Sequence, residues 1–450
     1  MRILFYSWSL DPKTGGGVAV YLNNLFRYLE NHPIENLQIF FLSSGKLYDG
    51  KENCYIQEEK QLYGIRIFTI INSPIIAPVE KAAADIDRIS SDTITKKILS
   101  EFIDQYGPFD VIHFHSFEGI STNVLSLKHL YPNTKFLHSV HDYCIMCPKA
   151  KLWNHGENCL YSPRKFMCHD CLKRNLRLSI EDYKLMRSSD SIPFKIKIKK
   201  KFSHIFHTTH ANSDDQYRRY RDFNRRMINT YSDGEFCVSR RVAEIMESEG
   251  FSKAKLIVNY IGTKVASMAT YHSRTDINTP RLTILFMGYA TEEKGIFVYL
   301  DALRQLGPYR NNIILKFASV IKKKRIKQQI LKLRDTFKDV IIYDGYTHQD
   351  FPTIMEGVNL GIVPPLWEDN LPQVAIEMIA NGIPVITSMH GGAKELNSDP
   401  NYRFNDAEDL SRKITNIYTD RDLLSRYWKS SARLTTMDEH VKALLNIYNQ

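Results

Sequence analysis

Pro364-Pro365-Leu366-Trp367-Glu368-Asp369-Asn370-Leu371-Pro372-Gln373-Val374-Ala375-Ile376-Glu377, followed by Asn381-Gly382-Ile383-Pro384-Val385-Ile386, is the stretch that decides the fold. The apolar run from Val358 to Val363 reads as a buried strand, Pro372 as a helix start and Gly382 as its stop. Asp369 then stands in the loop after the strand, and Glu377 on the helix that follows. Open parallel sheets bind their ligands in the crevice outside the carboxyl ends of their strands. Two carboxylates held there suit the hydroxyls of a sugar and of a ribose.

Outward from this unit the same alternation recurs. A strand over Thr283 to Met287 leads through a loop to a helix over Ile296 to Leu306, and further strands read at Ile313 to Phe317, Val340 to Tyr343 and Pro384 to Thr387. Nearer the N-terminus, strands read at Arg2 to Tyr6, Leu37 to Leu42, Arg66 to Ile70, Val111 to Phe114, Phe136 to Val140, Gly234 to Val238 and Lys255 to Tyr260. A helix from Ile94 to Tyr106 lies among them, and Ser239 is placed to cap a helix from Arg240 to Glu249. Strands alternating with helices predict parallel, doubly wound sheets. The polar segment 263–280 is the best linker. The expected organisation is a first domain over 1–265, interrupted by an irregular Cys-rich and basic insertion at about 144–230, and a second over 266–425. A C-terminal helical segment, 426–450, returns to the first. The fold class is α/β, with two Rossmann-like domains facing a central cleft.

With 43% hydrophobic and 24% charged residues the chain can bury a full core, and its net charge of +10 favours anionic partners. Met1-Arg2-Ile3-Leu4-Phe5-Tyr6 reads as a strand rather than a signal peptide, and no run approaches the length of a membrane span. These features predict a cytoplasmic protein whose seven cysteines are reduced or metal-bound.

Several constellations carry chemistry. Gly15-Gly16-Gly17 lies between a strand and a helix, where Gly16 and Gly17 would let the backbone approach a phosphate or sugar; a plain turn is the competing reading. Gly288-Tyr289-Ala290-Thr291-Glu292-Glu293-Lys294-Gly295 joins a strand to a helix, placing Lys294 where an ammonium can neutralise a departing diphosphate. Among His113, His115, His138 and His141, the last stands at a strand end and is the best candidate for substrate contact. Cys147, Cys159, Cys168 and Cys171, ending in a C-x-x-C pair, suit a structural zinc site, although Cys144 makes a second such pair with Cys147 and leaves the ligand set open. Buried free thiols are the alternative. Lys195, Lys197, Lys199, Lys200 and Lys201 interleave with apolar residues, and Tyr217 to Arg226 is basic and aromatic. Either segment could lie on an anionic membrane, though such runs are more often faces of ordinary helices. No recognition module for nucleic acid accompanies them. The triplets Asp85-Ile86-Asp87 and Asp420-Arg421-Asp422 fall in helical context and do not support a catalytic metal.

Taken together, these residues resemble glycosyltransferase family four, the retaining group with the GT-B fold, over nearly the whole chain. Trp367-Glu368-Asp369-Asn370-Leu371-Pro372…Glu377 is similar to that family's Glu-x7-Glu signature. The resemblance implies that Glu377 binds the donor ribose, Asp369 the sugar hydroxyls, and Asn370 and Leu371 offer backbone amides. It further implies that Gly288 and Lys294 belong to the diphosphate loop, and that His141 stands near the donor sugar. Two positions depart from the pattern. Asp369 replaces the first glutamate, with Glu368 able to substitute through a register shift, and Tyr289 replaces an arginine that would bind phosphate bidentately. The expected activity is transfer of a sugar from a nucleotide-diphosphate donor to a glycan or lipid-linked acceptor in surface polysaccharide synthesis, at the inner face of the plasma membrane and without a catalytic cofactor. A nucleotide-sugar epimerase on the same scaffold and a non-catalytic relative are the rivals.

Overall fold

A computed structural model of the chain describes residues 1–79, 85–154, 156–160, 168–172, 184 and 214–450. The chain divides into two compact units. The first comprises Met1–Asn154, Cys159–Tyr260 and Val441–Gln450; the second is chiefly Ile261–His440. The boundary after Tyr260 lies five residues before the expected one at 265, and the return to the first unit begins at Val441 rather than 426.

The first unit is built on β1 (Arg2–Tyr6), β2 (Gln38–Leu47), β3 (Tyr55–Glu58), β4 (Arg66–Ile71), β5 (Val111–Phe114), β6 (Lys135–Val140), β7 (Gly234–Cys237) and β8 (Leu256–Val258). Their order in the sheet is β8-β7-β6-β5-β1-β2-β4-β3. All neighbours pair in parallel except β3, which runs antiparallel to β4 at the edge. The alternating reading did not include β3; its sequence, Tyr-Ile-Gln-Glu, is too short and too polar to announce a strand. Helix α1 (Pro12–Asn31) follows β1, and α2 (Ile94–Tyr106), α3 (Asp214–Tyr231) and α4 (Arg240–Ser248) follow later. Ser239 caps α4 as expected, its hydroxyl accepting from the Val242 N–H at 3.2 Å.

The start of α1 corrects one expectation. A first helical turn precedes Gly15-Gly16-Gly17, and the long helix is entered through a break at Gly16. Asp11 accepts from the Lys13 N–H at 3.0 Å and Pro12 occupies the first turn, so a short helical turn begins at Pro12. Its geometry then breaks at Gly16, with φ 57° and ψ −141°. The Asp-Pro pair is a stronger start signal than the glycines after it.

The second unit carries β9 (Leu282–Tyr289), β10 (Ile313–Val320), β11 (Asp339–Asp344), β12 (Leu360–Val363), β13 (Val385–Ser388) and β14 (Arg403–Phe404). They are arranged β11-β10-β9-β12-β13-β14 and are all parallel. Numbered within the unit this is 3-2-1-4-5-6, the order of a dinucleotide-binding sheet. Helices α5 (Ile296–Arg304) and α6 (Gln373–Ala380) follow β9 and β12. Leu282, Ile284 and Phe286 on β9 pack with Tyr299, Leu300 and Leu303 on α5, all fully buried. The period of two on the strand meets the helical stripe, and Phe286 stacks on Tyr299 at 5.7 Å between centroids. Among the described residues no helix is long and apolar enough to cross a membrane.

Candidate functional site

β9 and β12 are neighbours, but the chain leaves β9 toward β10 on one side and β12 toward β13 on the other. The loops at their carboxyl ends part at this switch point and leave a crevice. Both sequence motifs of the second unit meet there.

The β9 loop is held against the β12 loop by backbone fit. Gly295 has φ +76°, and a Cβ at that position would lie 1.7 Å from the Pro364 carbonyl oxygen. The Leu366 N–H donates to the Glu293 carbonyl at 2.8 Å. Lys294, between these anchors, places its Nζ 2.5 Å from Asp369 Oδ2 and 5.0 Å from the centre of the Trp367 ring. Asp369 is 6% exposed, so its carboxylate meets the ammonium largely away from water.

The structure also sorts the two adjacent acids. Glu368 Oε2 accepts from the Gly391 N–H at 2.9 Å, while the Asp369 carbonyl accepts from the Gly392 N–H at 2.8 Å. Gly391 has φ +62°, and a Cβ there would lie 2.1 Å from the Asp369 carbonyl oxygen. Glu368 is therefore committed to the glycine turn, and Asp369 faces Lys294.

Glu377 lies on α6 and is buried, as are Asn370 and Leu371 before the helix. Tyr346, in the loop after β11, has its hydroxyl pKa pushed up chiefly by burial and further by the Glu377 carboxylate. Gly288, the last but one residue of β9, has φ +117°, and Tyr289 at the strand's end is 46% exposed. Lys322, in the loop after β10, sets its Nζ 5.8 Å from the centre of the Tyr289 ring. Sequence reading did not single out Tyr346 or Lys322. Each stands on a loop after a neighbouring strand, where only the sheet order reveals the proximity.

The first unit has its own cluster at the carboxyl ends of β5 and β6. His141 Nε2 lies 3.0 Å from His115 Nδ1, so one ring donates and the other accepts. Tyr21 on α1 packs on both, with centroids 5.0 Å from His141 and 5.6 Å from His115. His113 instead bonds Tyr448 and Ser139, at 2.6 and 2.9 Å, and His138 bonds Glu235 at 2.6 Å in a buried pair. Those two histidines are satisfied interior residues. Gly16 and Gly17 belong to this unit, in the first turns of α1.

Cys147, Cys159, Cys168 and Cys171 line one cavity of the first unit, and Cys144 does not. The basic and aromatic segment Tyr217 to Arg226 is part of α3, where Tyr217, Tyr220 and Phe223 are buried. Its Arg218 and Arg225 pair with Asp222, and Arg219 with Asp87. This stripe is a packed helix face. Lys195 to Lys201 lie outside the described residues.

Comparison with known proteins agrees with this geometry. Residues 267–435 match the family model described as glycosyl transferases group 1. No curated protein sequence matches the chain. Among solved structures, HepE of Anabaena, crystallised with UDP and glucose, is 14% identical with a TM-score of 0.57, all of both chains being covered. A glycosyltransferase of Rickettsia africae is 16% identical at TM-score 0.59, over 100% of this chain and 97% of that one. The lipopolysaccharide outer core galactosyltransferase WaaB is 12% identical at TM-score 0.57, over 99% and 100%. The fold is therefore GT-B, with two Rossmann-like domains, as expected from the sequence.

Proposed function

We propose that the protein is a retaining glycosyltransferase. It moves a sugar from a nucleoside-diphosphate donor to a glycan or lipid-linked acceptor, in surface polysaccharide synthesis at the cytoplasmic side of a membrane. Glycosyl transfer itself is supported by the family match over residues 267–435. The observation that carries the finer reading is the Lys294–Asp369 pair at the switch point of the second unit, with Glu377 on the next helix.

In this reading Glu377 accepts from the ribose hydroxyls and Asp369 from the sugar hydroxyls. The backbone amides of Asn370 and Leu371, just before α6, turn toward sugar or phosphate, where the helix N-terminus favours an anion. As the bond between the sugar and the diphosphate breaks, negative charge grows on the leaving phosphate. Lys294 neutralises it, a contribution typically worth ~10²–10³ in rate. Lys322 beside Tyr289 supplies a second positive charge near the position where the family resemblance places an arginine. His141, held by His115 and Tyr21, is carried over from the family resemblance as a sugar-contacting residue. Retention is carried over from the family resemblance.

A donor screen tests the reading. Thermal shift with nucleoside diphosphates and their sugars should show one base and one sugar stabilising the chain, by RT ln(1 + [L]/Kd). Product analysis with and without acceptor then separates transfer from isomerisation of the donor. An isomerised donor in the absence of acceptor overturns the transferase reading in favour of an epimerase. Sugar transfer that survives both Lys294→Ala and Glu377→Ala removes the assigned site.

A further inference from the structure

We propose that Cys147, Cys159, Cys168 and Cys171 bind one structural zinc ion in the first unit, with Arg221 and Lys149 compensating its charge.

The four thiols come from separate places in the chain. Cys147 lies in the turns after β6, Cys159 follows twelve residues later, and Cys168 and Cys171 stand on the short helix Cys168–Leu172. All four nonetheless line a single cavity of about 30 Å³, beside Pro148, Trp153 and Leu172. None forms a disulfide. Hydrophobic packing alone has no reason to gather four sulfurs from three segments around one small void, since apolar side chains fill such space better. Four sulfurs about one point are the ligand set of a tetrahedral zinc centre.

The charges around the cavity point the same way. Arg221, on α3, donates from Nη1 to Cys168 Sγ at 3.2 Å. Lys149, in the loop after β6, lines the same cavity as Cys171. Zinc held by four thiolates carries a net charge of about −2, and the two cations beside the sulfurs would offset it. Neutral thiols would need no such partners.

Cys144, which competes on spacing alone, is separated from the set. It is fully buried, its N–H donates to Asp142 Oδ1 at 2.8 Å and its carbonyl accepts from the Tyr220 hydroxyl at 2.5 Å. As placed, no three His, Cys, Asp or Glu side chains among the described residues stand close enough to hold an ion. Binding therefore draws the four sulfurs inward to Zn–S distances of about 2.3 Å and closes the cavity. The ion would clamp the helix Cys168–Leu172 to the turns after β6, with α3 joined through Arg221.

Elemental analysis of the full chain, purified without chelator, should find about one zinc per chain. Exchange for cobalt(II) should give the sulfur-to-metal charge-transfer and visible bands of a tetrahedral thiolate site. Cys168→Ser and Cys171→Ser should lose the metal, and Cys144→Ser should keep it. Because the serine variants could fail to fold, thiol titration of the unaltered chain with and without chelator gives an independent reading: chelation should expose the four thiols. A metal-free chain whose thiols react alike in both conditions overturns the proposal. So does iron in place of zinc, a disulfide among the four, absence of the cobalt bands, or loss of metal on Cys144→Ser.

Discussion

Lys294 Nζ stands 2.5 Å from Asp369 Oδ2, joining residues 75 positions apart across the switch point of the second sheet. Lys294 remains 35% exposed at its side chain while Asp369 is 9%, so the ammonium can turn to a ligand as the carboxylate stays in place. Lys294→Ala should lower kcat/KM by about 10²–10³, with the loss mainly in kcat, because the developing charge exists only in the transition state. Asp369→Asn keeps the shape but removes the anion. It should lower activity and leave the melting temperature within a few degrees. Steady-state kinetics beside a melting curve checks both, and an unchanged kcat in Lys294→Ala would contradict the role.

Glu377→Gln addresses binding rather than chemistry. A carboxylate accepting from two ribose hydroxyls is a charge-assisted partner, and its amide is weaker by about 1–2 kcal/mol. Nucleotide Kd should rise roughly tenfold. Calorimetry with a ribonucleoside diphosphate and its 2′-deoxy form is the measurement. The deoxy form, which keeps the 3′-hydroxyl, should lose less affinity on the substitution than the ribonucleotide does.

Tyr289 and Lys322 form the second unusual feature of the pocket. If Lys322 supplies the charge that the family pattern draws from an arginine at 289, Lys322→Ala should weaken diphosphate binding. The loss should be partly restored by Tyr289→Arg in the same chain. Nucleoside monophosphate binding should change less than diphosphate binding. Equal losses for both ligands would remove Lys322 from the diphosphate site.

Gly295→Ala tests the backbone fit beneath the pair. The substitution meets a positive φ and a carbonyl oxygen at 1.7 Å from the new Cβ, so the two loops must separate. A loss of at least about 2 kcal/mol is expected, summing the strain of a left-handed residue and the steric shift. Denaturant unfolding measures it. Gly357→Ala, at φ +66° with open space around it, should cost only the first part, about 1 kcal/mol.

The histidine cluster of the first unit predicts unequal roles. His115→Phe should keep the fold, lower activity and alter its pH profile, since His141 loses the ring that sets its tautomer. His138→Phe should instead destabilise the chain by about 1–3 kcal/mol, leaving Glu235 buried without that partner. Melting curves and pH–rate profiles on the two variants distinguish a positioning residue from an interior one.

Much of this architecture was legible in the residues themselves. β1, β5, α2 and the start of α4 coincide with the reading of apolar runs and caps, because punctuation by Pro, Gly and Ser is a local property. Five of the second unit's six strands were found for the same reason, though β9, β10 and β11 run longer than their apolar cores; β14, only two residues long, was not. β3 and the helical turn ahead of Gly16 were missed: one is a short polar edge, the other a single turn started by Asp11-Pro12 before the break. Of the candidate site, Lys294, Asp369 and Glu377 were legible as motifs. Tyr346, Lys322, His115 and Tyr21 were not, because nothing in their local sequence marks a partner.

The sequence alone determined that Pro364–Glu377 forms a strand end, a loop and a helix start, and that an acid stands at each end of that junction. Those features follow from bonds and contacts within a few residues. Only the tertiary structure decided that Asp369, and not Glu368, meets Lys294, that Lys322 comes to Tyr289, and that Cys144 stands apart from the other four cysteines of its region. Each of these depends on which strands are neighbours and where the chain crosses over. Residues close in space but distant in sequence acquire their relationship when the sheet assembles.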